Sequence, residues 1–244
     1  MNPLLENIFS TKEFVNSYNQ TIAIHSETSK EQCEFLQLLI RQNNFQRSLE
    51  IGFAFGISTL AILEEIIKNG GSHLVIDKFQ IDHWEGNGLD LVKQAGYLQH
   101  LEFKGEFCYK VLPILLDEGR KFDFVYIDST KQFDWLLVDF FYIDKILEIN
   151  GIVVFDDVKF SGIRKLLRYI CQFPNYQVHT QFPKNNKHSK LRTIAGLLKY
   201  LPYSNKYLKD DIINPDFKMG INAEMVALIK TGEDTRYWNW HKTF

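Results

Sequence analysis

Short apolar runs alternate with amphipathic stretches along most of this chain. "RSLEIG" (47–52), "HLVID" (73–77), "FDFVYID" (122–128) and "GIVVFDD" (151–157) have strand length and are rich in β-branched and aromatic residues, with "LEFKGEF" (101–107) a weaker run of the same kind. Between them, "ISTLAILEEIIKNGG" (57–71), "YKVLPILLDEG" (109–119), "FDWLLVDFFYIDKILEIN" (133–150) and "GIRKLLRYICQF" (162–173) carry apolar residues at helical spacing. Near the start, "STKE" (10–13) and "TSKE" (28–31) have the capping-box form and predict helix N-termini, the second leading into "EQCEFLQLLIRQ". Continuous apolar strands separated by helices predict βαβ units and a parallel sheet covered on both faces, an α/β fold. The pattern changes at the end. "YQVHTQF" (176–182) and "EMVALIKTG" (224–232) read as strands with no helix pattern between them, so residues 183–222, rich in Lys, Asn, Tyr and Pro, read as an insertion. The expected organisation is an N-terminal helical segment, 1–44, followed by one α/β domain, 45–244.

Composition narrows the setting. The 244 residues are 45% hydrophobic and 24% charged, an ordinary globular balance with enough chain to bury a full core. A net charge of −2 offers no general attraction to nucleic acid or to acidic membranes. Cys33, Cys108 and Cys171 are widely spaced and odd in number, which points to a reducing compartment rather than a disulfide framework. No secretory signal or bilayer-length apolar run is visible, so a cytoplasmic location is expected. The oligomeric state is left open, a homodimer included.

Chemistry concentrates where strands end. "SLEIGFAFGIST" joins the first strand to its helix, and ligands of open α/β sheets bind at the carboxyl ends of strands. Gly52 and Gly56 permit a sharp turn and close backbone approach, while Ser58 falls in the first helical turn, where N–H groups and a hydroxyl suit a carboxylate. Asp77 ends the second strand, where an acidic side chain accepts ribose hydroxyls. Phe53-Ala54 breaks the dinucleotide G-x-G-x-x-G pattern.

Glu50-x-Gly52-x-x-x-Gly56 followed by Asp77 resembles the cofactor site of class I S-adenosylmethionine-dependent methyltransferases. That resemblance implies a Rossmann-like fold: a mostly parallel seven-stranded sheet, helices on both faces, and an antiparallel C-terminal strand. It implies S-adenosylmethionine as cofactor, with Glu50, Gly52, Phe53, Gly56 and Ser58 around its methionine portion and Asp77 on its ribose.

A second group raises an electrostatic question. Asp156 and Asp157 close one strand and Asp128 closes the preceding one, with Lys131 three residues beyond it. Clustered carboxylates raise one another's pKa unless a cation neutralises them, and a hard dication such as Mg²⁺ takes oxygen ligands of this kind. Asp128-Ser129-Thr130-Lys131 with Asp156-Asp157 is similar to the metal-dependent O-methyltransferases of the catechol and caffeoyl-coenzyme A type, which carry Asp-Asn at the second position. The Asp-Asp form looks more like the metal-dependent sugar O-methyltransferases of macrolide and aminocoumarin biosynthesis. "GEFCYKVLP" resembles the stretch of that group that lies near adenine, which adds Glu106 and Phe107 to the cofactor residues beside Asp128. The resemblance, strongest over 26–160, implies Asp128, Asp156 and Asp157 as a Mg²⁺ site, Lys131 as the base, and a small-molecule acceptor with vicinal hydroxyls. The competing readings are a metal-independent methyltransferase acting on nitrogen or protein, and a non-catalytic interaction module. The histidines show no ligand spacing, "YWNW" (237–240) reads as packing, and "KNNKHSKLR" (184–192) as a solvated loop.

Overall fold

The computed structural model describes residues 1–25, 28–183 and 215–242. Helix α1 (Pro3–Thr11) leads into a small hairpin of β1 (Glu13–Val15) and β2 (Thr21–Ala23), then α2 (Lys30–Asn43). The alternating part follows: β3 (Arg47–Ile51), α3 (Ile57–Lys68), β4 (Ser72–Ile76), α4 (Asn87–Gln94), β5 (Leu101–Lys104), α5 (Cys108–Asp117), β6 (Phe122–Ile127), α6 (Phe133–Ile146) and β7 (Leu147–Phe155). Helix α7 (Ser161–Ile170), β8 (Tyr176–Phe182), the single turn α8 (Asp216–Met219) and β9 (Met225–Lys230) complete the described chain.

Seven strands form one mixed sheet in the order β5-β4-β3-β6-β7-β9-β8, with helices around it. Strand β3 pairs in parallel with β4 and with β6, and β4 in parallel with β5. Strand β9 runs antiparallel to both β7 and β8. The expected mostly parallel sheet with an antiparallel C-terminal strand is therefore the observed one. Two compact units make up the chain, Met1–Ser129 with Val138–Gly151, and Thr130–Leu137 with Ile152–Phe244. In the first, Leu49, Ile51, Val75, Ile76, Phe124 and Val125 are buried strand residues of the core. Leu5, Ile8, Phe14 and Cys33 pack with Leu60 and Ala61 of α3, which anchors the N-terminal segment to the helix that follows the glycine turn. Each such aliphatic side chain, fully buried, contributes about 1.5–3 kcal/mol. No helix among the described residues is long and apolar enough to cross a membrane.

Three local expectations are corrected. The "STKE" pattern does not open a helix, because α1 starts earlier: the Asn2 side chain accepts from the Leu4 N–H, Pro3 occupies the first turn, and Lys12 closes the helix at φ 61°. The second capping box lies one residue later than expected, formed by Ser29 and Gln32 rather than Thr28 and Glu31. The long apolar stretch 133–150 is not helical throughout. It turns into strand at Leu147, where continued apolar character hides the change of period.

Helix α6 also buries a carboxyl group. Asp139 is 4% exposed, and burial pushes its pKa up to about 7 from the usual 3.8. The folded state holds a proton that the unfolded chain releases, so stability falls as pH rises from about 4 to 7 and then levels off. The full effect is on the order of 4 kcal/mol at about 1.36 kcal/mol per pKa unit. Asp139→Asn is expected to raise the melting temperature at pH 8 and to leave it nearly unchanged at pH 4, as read by thermal unfolding across that range.

Candidate functional site

The turn between β3 and α3 is held by close backbone approach. Gly52 sits at φ 98°, and a Cβ there would lie 2.1 Å from the Asp128 carbonyl oxygen. The Asp128 N–H in turn donates to the Ile51 carbonyl at 2.9 Å. The ends of β3 and β6 are thereby locked together, with no room for a side chain at Gly52. Gly56 caps α3 at φ 79° without a side-chain hydrogen bond, so the first N–H groups of the helix have no cap. Thr28, Gly52 through Ser58, and Asp128 line one cleft around this turn.

Carboxylates hold the turn from both sides. At the tip, Asp77 Oδ2 accepts from the Phe53 and Ala54 N–H groups at 2.9 and 3.2 Å, and Oδ1 accepts from the Phe79 N–H at 2.7 Å. Ala54 is thereby kept at φ 46°. Asp77, expected on a ribose, has its carboxylate directed to this turn and is 9% exposed. At the base, Glu50 is fully buried. Ser58 Oγ donates to Glu50 Oε1 at 2.5 Å, and Thr59 Oγ1 donates to Oε2 at 2.6 Å. His73 Nε2 lies 2.9 Å from the same Oε2, and Ser48 Oγ 2.8 Å from His73 Nδ1. Two sequence expectations change here. Glu50 does not line the cleft, because its oxygens are satisfied inside the protein. The Ser58 hydroxyl hydrogen goes to Glu50, so Ser58 faces the cleft as an acceptor and through its backbone N–H. Phe53 is a core side chain, its ring 5.9 Å from that of Phe103, and serves the turn through its backbone.

The second group has an unexpected charge arrangement. Asp156 is 5% exposed and its Oδ1 accepts from the Asp157 N–H at 2.6 Å. Asp157 sits at φ 55°, a region that Asp and Asn tolerate better than other side chains. Its two oxygens face two ammonium groups, Lys131 Nζ at 3.0 Å from Oδ2 and Lys159 Nζ at 3.2 Å from Oδ1. Burial pushes the Asp157 carboxyl up, but hydrogen bonds and charge from Lys131 and then Lys159 outweigh it, so the group lies below the usual carboxylate range. Lys131 is thus placed as an ion-pair partner of Asp157. Among the described residues, no three His, Cys, Asp or Glu side chains converge as a metal-ligand set.

Gly162 explains how Lys131 reaches Asp157. A Cβ on Gly162, in the first turn of α7, would lie 2.2 Å from the Lys131 carbonyl oxygen and 3.2 Å from the Phe133 nitrogen. The insertion leaves and returns beside this region. The Glu224 N–H donates to the Phe182 carbonyl and the Val158 N–H to the Glu224 carbonyl, both at 2.9 Å. Most of the insertion, with the 184–192 basic run, lies outside the described residues. Glu106 folds back on its own helix start, accepting from the Phe107 N–H at 2.8 Å and from Lys110 Nζ at 3.1 Å. The Phe107 ring stacks on Tyr109 at 5.3 Å. Of the C-terminal aromatics, Trp240 packs against Phe173 while Tyr237 and Trp238 are exposed.

Comparison with known proteins finds similarity over part of the chain. Residues 49–158, which hold both strand-end groups, match the family model described as a methyltransferase domain. Over that stretch the chain is similar to methyltransferase domains. Caffeoyl-CoA O-methyltransferase 2 of Petunia hybrida is 27% identical over 158 residues, covering 60% of this chain and 63% of that protein. Caffeoyl-CoA O-methyltransferase 1 of Nicotiana tabacum is 28% identical over 158 residues, with 60% and 64% covered. The chain therefore spans a little under two thirds of the length of these curated relatives. An O-methyltransferase from Bacillus cereus, solved in complex with SAH, shares the fold at a TM-score of 0.60 and 21% identity, covering 73% of this chain and 83% of that one.

Sequence reading missed Thr28 and His73 around the glycine turn. Thr28 reads locally as a capping residue, and only folding brings it to the glycine turn. His73 stands alone in sequence, and its partners Glu50 and Ser48 belong to the neighbouring strand. The Gly162 contact is directly testable. Gly162→Ala should push the Lys131 segment off α7, cost about 1–3 kcal/mol of stability by overpacking, and speed amide exchange across residues 130–133. Unchanged exchange there would show that the segment accommodates a methyl group.

Proposed function

We propose that this chain is an S-adenosylmethionine-dependent O-methyltransferase acting on a small-molecule acceptor with neighbouring hydroxyls. The observation that carries the reading is the cleft around Gly52–Ser58, bounded by Asp128, inside the stretch that matches the methyltransferase family. The start of α3 has no side-chain cap, and Ile57 and Ser58 of its first turn line the cleft, which suits the carboxylate of an amino-acid ligand. The Bacillus cereus neighbour, bound to SAH, and the caffeoyl-CoA O-methyltransferases support cofactor and reaction class. A caffeoyl group carries two adjacent ring hydroxyls.

When bound, S-adenosylmethionine supplies an electrophilic sulfonium methyl. The glycine turn would hold its amino-acid end against the N–H groups of α3, with Asp128 at the cleft wall. Glu106 and Phe107 are assigned to its adenine end on the resemblance of their loop. Asp77 would reach a ribose hydroxyl through the acceptor capacity left after it holds the turn. Lys131, paired with Asp157, would stabilise the acceptor oxygen as it loses its proton to solvent. The remaining rate enhancement would come from holding both reactants at attack distance.

Mg²⁺ matches Asp128, Asp156 and Asp157 in donor chemistry, since all three offer hard oxygens. Asp157 as placed does not suit it: both its oxygens carry an ammonium partner, and among the described residues no three-ligand set is found. No step is therefore routed through a metal, and the paired lysines favour the metal-independent form of the reaction.

Calorimetry with S-adenosylhomocysteine tests the cofactor, and absence of binding would sink the assignment. Turnover of a catechol-ring acceptor such as 3,4-dihydroxybenzoate should survive EDTA, whereas its loss in EDTA and return with Mg²⁺ would restore the metal site. Lys131→Met should lower kcat by roughly 10²–10³-fold. Lys131→Arg, which retains charge but cannot act as a base, should keep more activity than Lys131→Met. Equal loss in both variants would return Lys131 to the role of base.

A further inference from the structure

We propose that His73 is a positioning residue for the cofactor turn, acting through Glu50; this rests on the reading that the glycine turn binds S-adenosylmethionine. Glu50 lies two residues before Gly52, and its carboxylate takes both hydroxyls of the first turn of α3, Ser58 at 2.5 Å and Thr59 at 2.6 Å. One side chain thus ties the strand entering the turn to the helix leaving it. It supplies the restraint that Gly56 lacks, having no side-chain cap of its own.

Glu50 and His73 side chains are fully buried, and Ser48 and Thr59 are too. A buried carboxylate is costly unless its oxygens are saturated by donors. The two hydroxyls supply one donor each, and His73 supplies the third at 2.9 Å from Oε2. An ionised carboxylate only accepts, so Nε2 carries a hydrogen. Ser48 Oγ, 2.8 Å from Nδ1, fixes the ring from its other side. Strands β3 and β4 pair Ser48 with His73 and Glu50 with Val75, so the ring bridges two steps of the ladder diagonally. Four residues beyond His73, at the end of the same strand, Asp77 holds the Phe53 and Ala54 N–H groups. Strand β4 therefore grips the turn twice, at its tip through Asp77 and at its base through His73 and Glu50. None of these His73 contacts reaches the cleft, so its influence on a ligand is indirect.

The test compares two polar replacements that reach different ends of the ring's space. His73→Gln can place an amide N–H near the Nε2 position and keep the bond to Glu50. His73→Asn reaches only the Nδ1 end and loses it. With circular dichroism confirming folded protein, S-adenosylhomocysteine should bind His73→Gln within about threefold of the native chain and His73→Asn at least tenfold more weakly, the fold-change of about 1.4 kcal/mol per tenfold. Long-range ¹H–¹⁵N spectra of the native chain should show hydrogen on Nε2. Native-like binding by both variants, equal weakening of both, or hydrogen on Nδ1 alone would overturn the positioning role while the cofactor reading stands. Failure of the native chain to bind S-adenosylhomocysteine would overturn the cofactor reading and this role with it.

Discussion

A buried carboxyl group at the root of the glycine turn governs much of this structure. Glu50 is inaccessible to water, and its carboxylate is tolerable only because Ser58, Thr59 and His73 surround it at hydrogen-bonding distance. That requirement couples three elements, β3, α3 and β4, at one point. Shape at the turn follows from it. With the base of the turn fixed, Gly52 can approach the Asp128 carbonyl, and the uncapped start of α3 is presented at a defined edge. A hydrophobic core would hold these elements together but would not orient the turn, because apolar packing has no direction.

A different electrostatic solution operates around Asp157. Three strand-end carboxylates lead to the expectation of a dication. Two lysines flank Asp157, and the net effect is a carboxyl held below its usual range despite partial burial. The two arrangements differ in what they do to a neighbouring acceptor. A dication binds oxygens directly and withdraws charge from them. Lysines retained as ammonium groups stabilise an anionic oxygen through hydrogen bonds and field, with weaker but still directional control. Asp157 stands where the catechol-type pattern has Asn, and both residue types tolerate its left-handed backbone. The backbone thus admits either residue, and the carboxylate is what recruits Lys131 and Lys159.

Small residues make room for these charges. Gly162 allows the Lys131 carbonyl to approach α7 to a distance that any Cβ would forbid. The long segment between β8 and β9 returns beside Val158, through hydrogen bonds of Glu224 to Phe182 and Val158. Phe182 and Glu224, which flank that segment, are thus tied to Val158, the residue after the Asp156–Asp157 pair.

The alternation of apolar runs and helical spacing was enough to place nearly every strand of the large sheet, because burial on both faces of a parallel strand leaves a continuous apolar signature. It also located Gly52, Asp128 and the Asp156–Asp157 pair, since strand ends and glycine turns are local features. It failed at the 146/147 boundary, where helix and strand are both apolar, and it did not see the β1–β2 hairpin, whose strands span three residues each. The distant partners of the charged groups were decided by tertiary structure. Glu50 meets His73 because two strands pair in one register, and Asp157 meets Lys131 because a loop packs on a glycine in α7. Hydrogen bonds and ion pairs act over about 3 Å, and only the folded chain brings residues more than twenty positions apart to that distance. The sequence by itself determined which chemical groups stand at the strand ends, and the fold determined whether each faces a ligand or another side chain.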